Sequence, residues 1–139
     1  MKQAVCTVSV RDGNTGNPIP GETPQTPMAT GDVEGYVVFN TSITLTTYLG
    51  QLPMDAFVVF ELKHWKEWKK KMSLKAWAWV QVSKLLEKLM ATQATPRNPT
   101  SFPLPLMKKP AVYTAKAIAS AKPFNRLAED VHLHLAVSR

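Results

Sequence analysis

The sequence is poor in cysteine and glycine and comparatively rich in proline. Its 139 residues contain one cysteine, six glycines and eleven prolines. A single cysteine excludes an internal disulfide, so we expect Cys6 to be a small buried side chain in a protein of a reducing compartment. Proline breaks helix interiors, and its excess therefore argues against a mainly helical protein.

Long apolar runs are also missing. No segment approaches the roughly 20 apolar residues of a transmembrane helix, and "MKQAVCTVSVRD" lacks the apolar centre of a signal peptide. Apolar residues make up 45% of the chain and charged residues 19%, which is typical of a globular domain. We therefore expect one domain over residues 1–139, cytoplasmic, either free or peripherally attached to a membrane, the cytoskeleton or a cilium.

Motifs of enzymes are lacking as well. The sequence has no nucleophile elbow, no HExxH, no phosphate-binding glycine loop and no CxxC. Cys6 paired with a histidine, or a metal held by His132 and His134, would need further groups that the sequence does not offer. Burial of Cys6 and an exposed strand face for the histidines explain these residues better. The sequence predicts no enzyme, no cofactor and no metal site.

What the chain does contain is a series of short strand patterns between loops rich in proline and glycine. Alternation of apolar and polar residues, or a short apolar run, marks each of them. They are "VCTVSV" (Val5–Val10), "GYVVFNTSITL" (Gly35–Leu45), "FVVFEL" (Phe57–Leu62), "AWAWVQV" (Ala76–Val82) and "DVHLHLAV" (Asp130–Val137). This organisation predicts a mostly-β protein, an antiparallel sandwich with one or two short helices in its connections.

The remaining segments are less regular. "SKLLEKLM" is typical of a short helix capped by Ser83, and "LPLMKKP" (Leu104–Pro110) of an edge strand that tolerates proline. "AVYTAKAIASAK" has a helical composition. We expect residues 91–103 and 111–130 to be loops or insertions within the domain.

The net charge of +7 is concentrated in one stretch, residues 63–75, with six lysines and one glutamate. Two tryptophans are interleaved with these lysines, which suits a membrane interface, stacking on nucleic-acid bases or a solvated loop. If the stretch binds an anionic surface, the lysines make the contact and the tryptophans anchor it. The candidate residues are Lys63, Trp65, Lys66, Trp68, Lys69, Lys70, Lys71 and Lys75. Trp77 and Trp79 are expected to be core or sheet-covering residues.

Arginine is scarce in the basic stretch. The four arginines of the chain, Arg11, Arg97, Arg126 and Arg139, all lie outside it. Because arginine is the usual reader of base edges, the sequence argues against sequence-specific nucleic-acid binding. An acidic membrane or an acidic protein surface is the better candidate partner.

The segment "VVFELKHWKEWKKKMSLKAWAWVQV" resembles the centre of the C2 domain of the Axin interactor, dorsalisation-associated protein family. "VCTVSVRD", "QTPMAT", "GYVVFNTSITL", "LMKKP" and "HLHL" are similar to further strands and segments of that family. The resemblance implies a C2-type β-sandwich that acts as an interaction module. Its relatives bind phosphoinositides or other acidic membranes and link membranes to the cytoskeleton or to signalling scaffolds.

Two departures from C2 domains refine this expectation. The stretch after "FVVFEL" has no aspartate, whereas calcium needs several hard oxygen ligands together, so binding would be independent of calcium. In the family an earlier strand precedes the one that resembles "VCTVSVRD", and the given sequence has no room for it. We therefore expect either that the domain is incomplete as given, without its first strand, or that a protein partner completes the sheet edge. The alternative function is a small structural subunit of a cytoskeletal or ciliary, microtubule-associated assembly, with the basic stretch on an acidic protein surface.

Overall fold

The fold is given by a computed structural model that describes residues 4–22, 24, 31–33, 36–38, 51–66, 68–92, 100–105, 107, 114–119 and 132–137. Along the chain the elements are β1 (Ala4–Arg11), β2 (Gly31–Val33), β3 (Tyr36–Val38), β4 (Phe57–Lys66), β5 (Lys71–Gln81), α1 (Val82–Thr92), β6 (Thr100–Pro105), α2 (Ala115–Ala119) and β7 (His132–Val137).

Three strands form the central sheet, in the order β1-β4-β5. Both pairings are antiparallel, with Arg11 opposite Phe57 in the first and Phe57 opposite Gln81 in the second. Two smaller antiparallel pairs, β2 with β3 and β6 with β7, complete the described strands. β4 therefore lies between two partners and carries the centre of the fold.

One side of the central sheet, here called the helix face, carries the larger core. It buries Cys6, Val8, Val10, Val58, Phe60, Ala78 and Val80 together with Leu52, Ala56, Val82, Leu85 and Leu104. Helix α1 supplies Val82 and Leu85, and β6 supplies Leu104. The amide of Val82 donates a hydrogen bond of 2.9 Å to the carbonyl oxygen of Ala56. This bond satisfies a backbone donor at the start of α1, where helices lack internal partners.

The opposite side, here called the tryptophan face, is also covered. Phe57, Val59, Trp77 and Ile118 are buried there, with Trp79 and Met107 packed against them. The Trp79 ring meets Phe57 edge-on, with centroids 5.2 Å apart. The predicted core role of Trp77 and Trp79 is confirmed. Between Ala76 and Val80 both alternation sets of β5 lie in apolar layers, which explains why this part of the strand is apolar throughout.

The predicted class, mostly β and antiparallel with two short helices, is confirmed, and the C2 sandwich stays a prediction. The segments predicted as strands at Val5–Val10, Phe57–Leu62 and Ala76–Val82 correspond to β1, β4 and β5. Tyr36–Val38 confirms the first part of the strand predicted over Gly35–Leu45, whose remainder lies outside the described residues.

Other boundaries were predicted incorrectly. Helix α1 begins at Val82, so Ser83 lies in its first turn and is not the cap. The prediction of loop over residues 91–103 fails at both ends, because α1 continues to Thr92 and β6 begins at Thr100. Within 111–130, residues 115–119 form α2. β6 holds two prolines and still pairs with β7. Proline is tolerated in edge strands, and β7 is the one strand with which β6 pairs among the described strands.

The outer edge of β1, on the side away from β4, is where the predicted partner strand would pair. The carbonyl of Val10 accepts a hydrogen bond from the amide of Ile19 at 2.9 Å. The backbone N–H and C=O groups of Val10 therefore point away from β4. By the alternation of antiparallel pairs, those of Cys6 and Val8 do the same. Both residues are only 5% exposed. At Val10 a partner strand would have to replace the hydrogen bond from Ile19, and pairing along the rest of this edge stays a prediction.

The loop after β1 packs against the segment before β4. The amides of Thr15 and Asn14 donate to the Asp12 carboxylate, and these bonds lower the pKa of that carboxyl. The Arg11 guanidinium donates to the Gly16 carbonyl at 3.0 Å. Gly13 is buried, and a Cβ there would collide with the carbonyl oxygen of Asp55. The loop is thus held by hydrogen bonds within it and by the close approach of Gly13 to Asp55.

Substituting Gly13→Ala is expected to lower the free energy of unfolding by about 3 kcal/mol, because backbone atoms cannot yield to an added methyl group. Gly21→Ala is the matched control, since Gly21 has φ +89° but nothing near its Cβ position, and it should cost about 1 kcal/mol. Urea denaturation measures both. Equal losses would mean that the Gly13 contact is not tight.

Candidate anion-binding hairpin

The lysine-rich stretch is a β-hairpin and not the loop that its composition suggested. β4 continues through Lys66 and β5 begins at Lys71, which leaves residues 67–70 to connect them. Residues 63–75 are called the basic hairpin from here on. The stretch alternates bulky and polar residues like a strand, and lysine side chains can lie along a strand with their charged ends in water.

The tip of the hairpin is exposed. Trp68, Lys69 and Lys70 form its turn, and Trp68 is 75% exposed. The Lys69 ammonium lies 4.5 Å from the centroid of the Trp68 ring, a cation–π contact that holds the charge beside the indole. Lys70 has φ 50°, in the left-handed region that ends many hairpin turns. An apolar ring and two cations are thus exposed together at the tip of the hairpin.

Backbone register distributes the strand residues of the hairpin between two faces. On one face, called the polar hairpin face, Lys66 lies opposite Lys71 and His64 opposite Ser73. On the other, Trp65 lies opposite Met72 and Lys63 opposite Leu74. Positions two apart share a face of a strand. The structure therefore brings Lys66 and Lys71 together, and it puts Trp65 and Lys63 on the opposite side.

Lys75 occupies a β-bulge. Ala76 pairs with Leu62 and Leu74 pairs with Lys63, so Lys75 has no residue opposite it. A bulge increases the local twist and shifts the alternation of the strand by one residue. Lys75 thus lies at the base of the hairpin, separated from the tip by the strand positions of Leu74, Met72 and Lys71.

Lys63 is directed towards the sheet. Its side chain is half-buried, and its ammonium donates a hydrogen bond of 3.2 Å to the hydroxyl of Thr7 on β1. Glu61, two positions earlier on the same face of β4, is buried as well. Lys63 is therefore tied to the body of the domain, although it stays a predicted contact of the anion-binding set.

His64 was not among the residues predicted from sequence. Its Nδ1 is buried and makes no hydrogen bond within the described part of the chain. Its register position puts it on the polar hairpin face. The signal that could have identified it was the alternation of "ELKHWK", which groups His64 with Lys66 if the strand is extended to Lys66.

The structure also bears on three other kinds of site: a reactive cysteine, a metal site and a membrane-spanning helix. Cys6 is buried and free, and burial raises the pKa of its thiol to about 12, helped by the nearby Glu61 carboxylate. The thiol is therefore neutral and unsuited to act as a nucleophile. Among the described residues, no group of three or more His, Cys, Asp or Glu could hold a metal ion. None of the described helices is long and apolar enough to cross a membrane.

Comparison with known proteins points to one family. The family described as Axin interactor dorsalisation-associated protein, C-terminal, matches residues 1–136. The chain is 29% identical over 114 residues to the Axin interactor, dorsalization-associated protein of Danio rerio, an alignment that covers 81% of the chain and 32% of the relative.

Two further relatives show the same extent of similarity. Identity is 30% over 112 residues with protein A of that name from Xenopus laevis, covering 81% of the chain and 32% of the relative. With the Mus musculus protein it is 28% over 135 residues, covering 96% of the chain and 38% of the relative. The chain therefore spans about a third of the length of these curated relatives.

Proposed function

Because the chain belongs to the family of C-terminal domains of the Axin interactor, dorsalisation-associated protein, we propose that it is a non-enzymatic interaction module with a C2-type sandwich fold. Its basic hairpin binds acidic phospholipid membranes, phosphoinositide-containing ones included, without calcium. The lysines meet the acidic head groups directly, and the tryptophan at the tip enters the interface.

The observation that carries this proposal is the exposed Trp68 ring with the Lys69 ammonium 4.5 Å from its centroid. A large apolar side chain that is 75% exposed at the end of a hairpin has no packing role in the described core. Tryptophan prefers the head-group level of a bilayer, and the adjacent cation suits an anionic leaflet. The side chain and its charged neighbour therefore match the two layers of such a surface.

The affinity should be modest. A lysine near an anionic leaflet contributes roughly 1 kcal/mol, so five of them give about 5 kcal/mol, or a Kd of about 0.2 mM. The contribution falls with salt, because the hairpin charges are screened within a Debye length of about 8 Å. Contact through this hairpin is therefore reversible, and a second tether would strengthen it.

Co-sedimentation with vesicles tests the proposal, with a calcium chelator in every sample. We expect the chain to bind phosphatidylcholine vesicles that contain phosphatidylglycerol or a phosphoinositide and to ignore pure phosphatidylcholine. Trp68→Ala should weaken binding, whereas Met90→Ala, which removes a 61% exposed side chain from α1, should not. A folded chain that binds none of the acidic vesicles would refute the membrane function.

A second candidate is a protein partner. The relatives are named Axin interactors, and a basic, aromatic hairpin also fits an acidic protein surface, where tryptophan is common among the residues that contribute most to binding. Under this alternative, the chain would bind an acidic protein surface, such as that of a microtubule, and Trp68→Ala would weaken this binding. The acidic vesicles would stay unbound. The same variant thus serves both tests.

A further inference from the structure

We propose that Lys63 is a positioning residue of the basic hairpin: its ammonium, held by the Thr7 hydroxyl, fixes the direction in which the hairpin projects and does not itself contact the anionic surface. The inference rests on the proposed function, because it concerns the same hairpin. It adds Thr7, which lies outside the basic stretch, to the residues on which binding depends. The other five lysines of the hairpin stay candidate contacts.

The Lys63 side chain leads away from the tip. In the backbone register Lys63 lies opposite Val5. Its ammonium nevertheless donates the 3.2 Å hydrogen bond to Thr7, which lies opposite Glu61, so the side chain crosses diagonally towards the body of the sheet. Burial and then the Glu61 carboxylate raise the pKa of the Cys6 thiol, and the Lys63 ammonium lowers it. The charge of Lys63 therefore lies beside β1.

The position of this hydrogen bond separates the Lys63 ammonium from a surface at the tip. Thr7 is level with Glu61, and from Glu61 to Lys66 the strand rises about 17 Å, at roughly 3.4 Å per residue. The turn that carries Trp68 lies beyond Lys66. Charges farther apart than a Debye length, about 8 Å at physiological salt, are largely screened from each other. The Lys63 ammonium is therefore too far from such a surface to contribute to affinity directly.

The hydrogen bond also lies where the sheet narrows from three strands to two. Among the described residues, β1 pairs with β4 as far as Ala4 opposite His64, and from Trp65 onward β4 pairs with β5 alone. The register shift of the β-bulge falls between Leu62 and Lys63, and a bulge bends its strand and increases the local twist. A two-stranded hairpin is only marginally stable by itself. A bond to the third strand at this level therefore restrains how the projecting part bends.

Two half-buried side chains make this bond. A hydrogen bond from an ammonium group is charge-assisted and stronger than a neutral one. Without it, the projecting part of the hairpin would sample more directions, and Trp68 and Lys69 would reach a flat surface together less often. Holding a binding element in its bound conformation raises affinity, because less entropy is lost on binding. Loss of the bond should therefore weaken binding although no contact with the surface is removed.

The experiment is co-sedimentation with phosphatidylcholine vesicles that contain phosphatidylglycerol, at low and at physiological salt. Lys63→Met removes the ammonium and Thr7→Val removes the hydroxyl. Each should weaken binding about threefold, a part of what a hydrogen bond to a charged group contributes, and the double variant should lose no more than either single one. Both should keep the salt dependence of the unmodified chain. Thr7→Ser, which keeps a hydroxyl, should restore binding, and circular dichroism should show that every variant is folded.

Lys69→Met provides the reference for a lysine that contacts the surface. It removes an exposed charge from the tip, so binding should weaken about fivefold at physiological salt, the effect of one charge at an anionic leaflet, and should depend less on salt. The same reduced salt dependence in Lys63→Met, or normal binding by Thr7→Val, would overturn the inference and leave the membrane function in place.

The two variants break one bond from its two ends, so either of them decides the question if the other does not fold. Absence of binding by the unmodified chain at both salt concentrations would overturn the inference and the membrane function together.

Discussion

Replacing Trp77 by alanine is expected to lower the free energy of unfolding by about 3–5 kcal/mol, the usual loss when a buried tryptophan is truncated. Trp77 is 0% exposed and lies among Phe57, Val59 and Ile118 on the tryptophan face. Its backbone also joins Met107 through two hydrogen bonds, of 3.0 and 2.6 Å. Small domains are stable by only about 5–15 kcal/mol, so this one change consumes much of the total.

Chemical denaturation followed by circular dichroism checks this expectation. Trp68→Ala is the matched control, because the same side chain is removed from a 75% exposed position, and it should change stability by less than about 0.5 kcal/mol. If the two variants lost similar stability, the buried tryptophan cluster would not be the core of that face.

Reversing two charges at the tip, Lys69→Glu with Lys70→Glu, is expected to abolish binding to acidic vesicles. The change alters the net charge of the tip by four, and at roughly 1 kcal/mol for each charge it corresponds to about a thousandfold loss. It also removes the cation from the Trp68 ring. Both lysines are exposed, so the fold should persist.

A variant with the same change in net charge separates location from total charge. Lys84→Glu with Lys88→Glu alters two exposed lysines of α1. Vesicle co-sedimentation at low and at physiological salt should show near-normal binding for this variant. Equal losses in the two double variants would mean that the whole chain is attracted by its net charge, without a dedicated hairpin.

Much of the central sheet could be predicted from local patterns. "VCTVSV" alternates because one side of β1 is part of the helix face and is buried in its core. The apolar character of "AWAWVQV" follows from burial on both faces of β5. The boundaries were harder, because lysines extend β4 and β5 beyond their apolar parts. A run of cations in water and a run of cations on paired strands have the same composition, and only the pairing partner distinguishes them.

The arrangement of the hairpin depended on one residue that no local pattern marks. Met72 and Leu74 continue the even-numbered series of Ala76, Ala78 and Val80, which predicts a common face. The bulge at Lys75 shifts the register, so that Met72 and Leu74 occupy the side of Lys63 and Trp65. For the same reason the candidate lysines could be named from the sequence, whereas their division between two faces and the tip could not.

The length of β4 determines how far the tip of the basic hairpin lies from the opposite end of the central sheet. From Phe57 to Lys66 the strand rises about 30 Å, at roughly 3.4 Å per residue, and it is paired along this whole distance with β5. Asp12 and Asp55 adjoin the far end of the sheet, next to Arg11 and Phe57. Several Debye lengths of about 8 Å therefore separate them from a surface at the tip. With the strands upright, an anionic surface would meet the cations and not these two carboxylates.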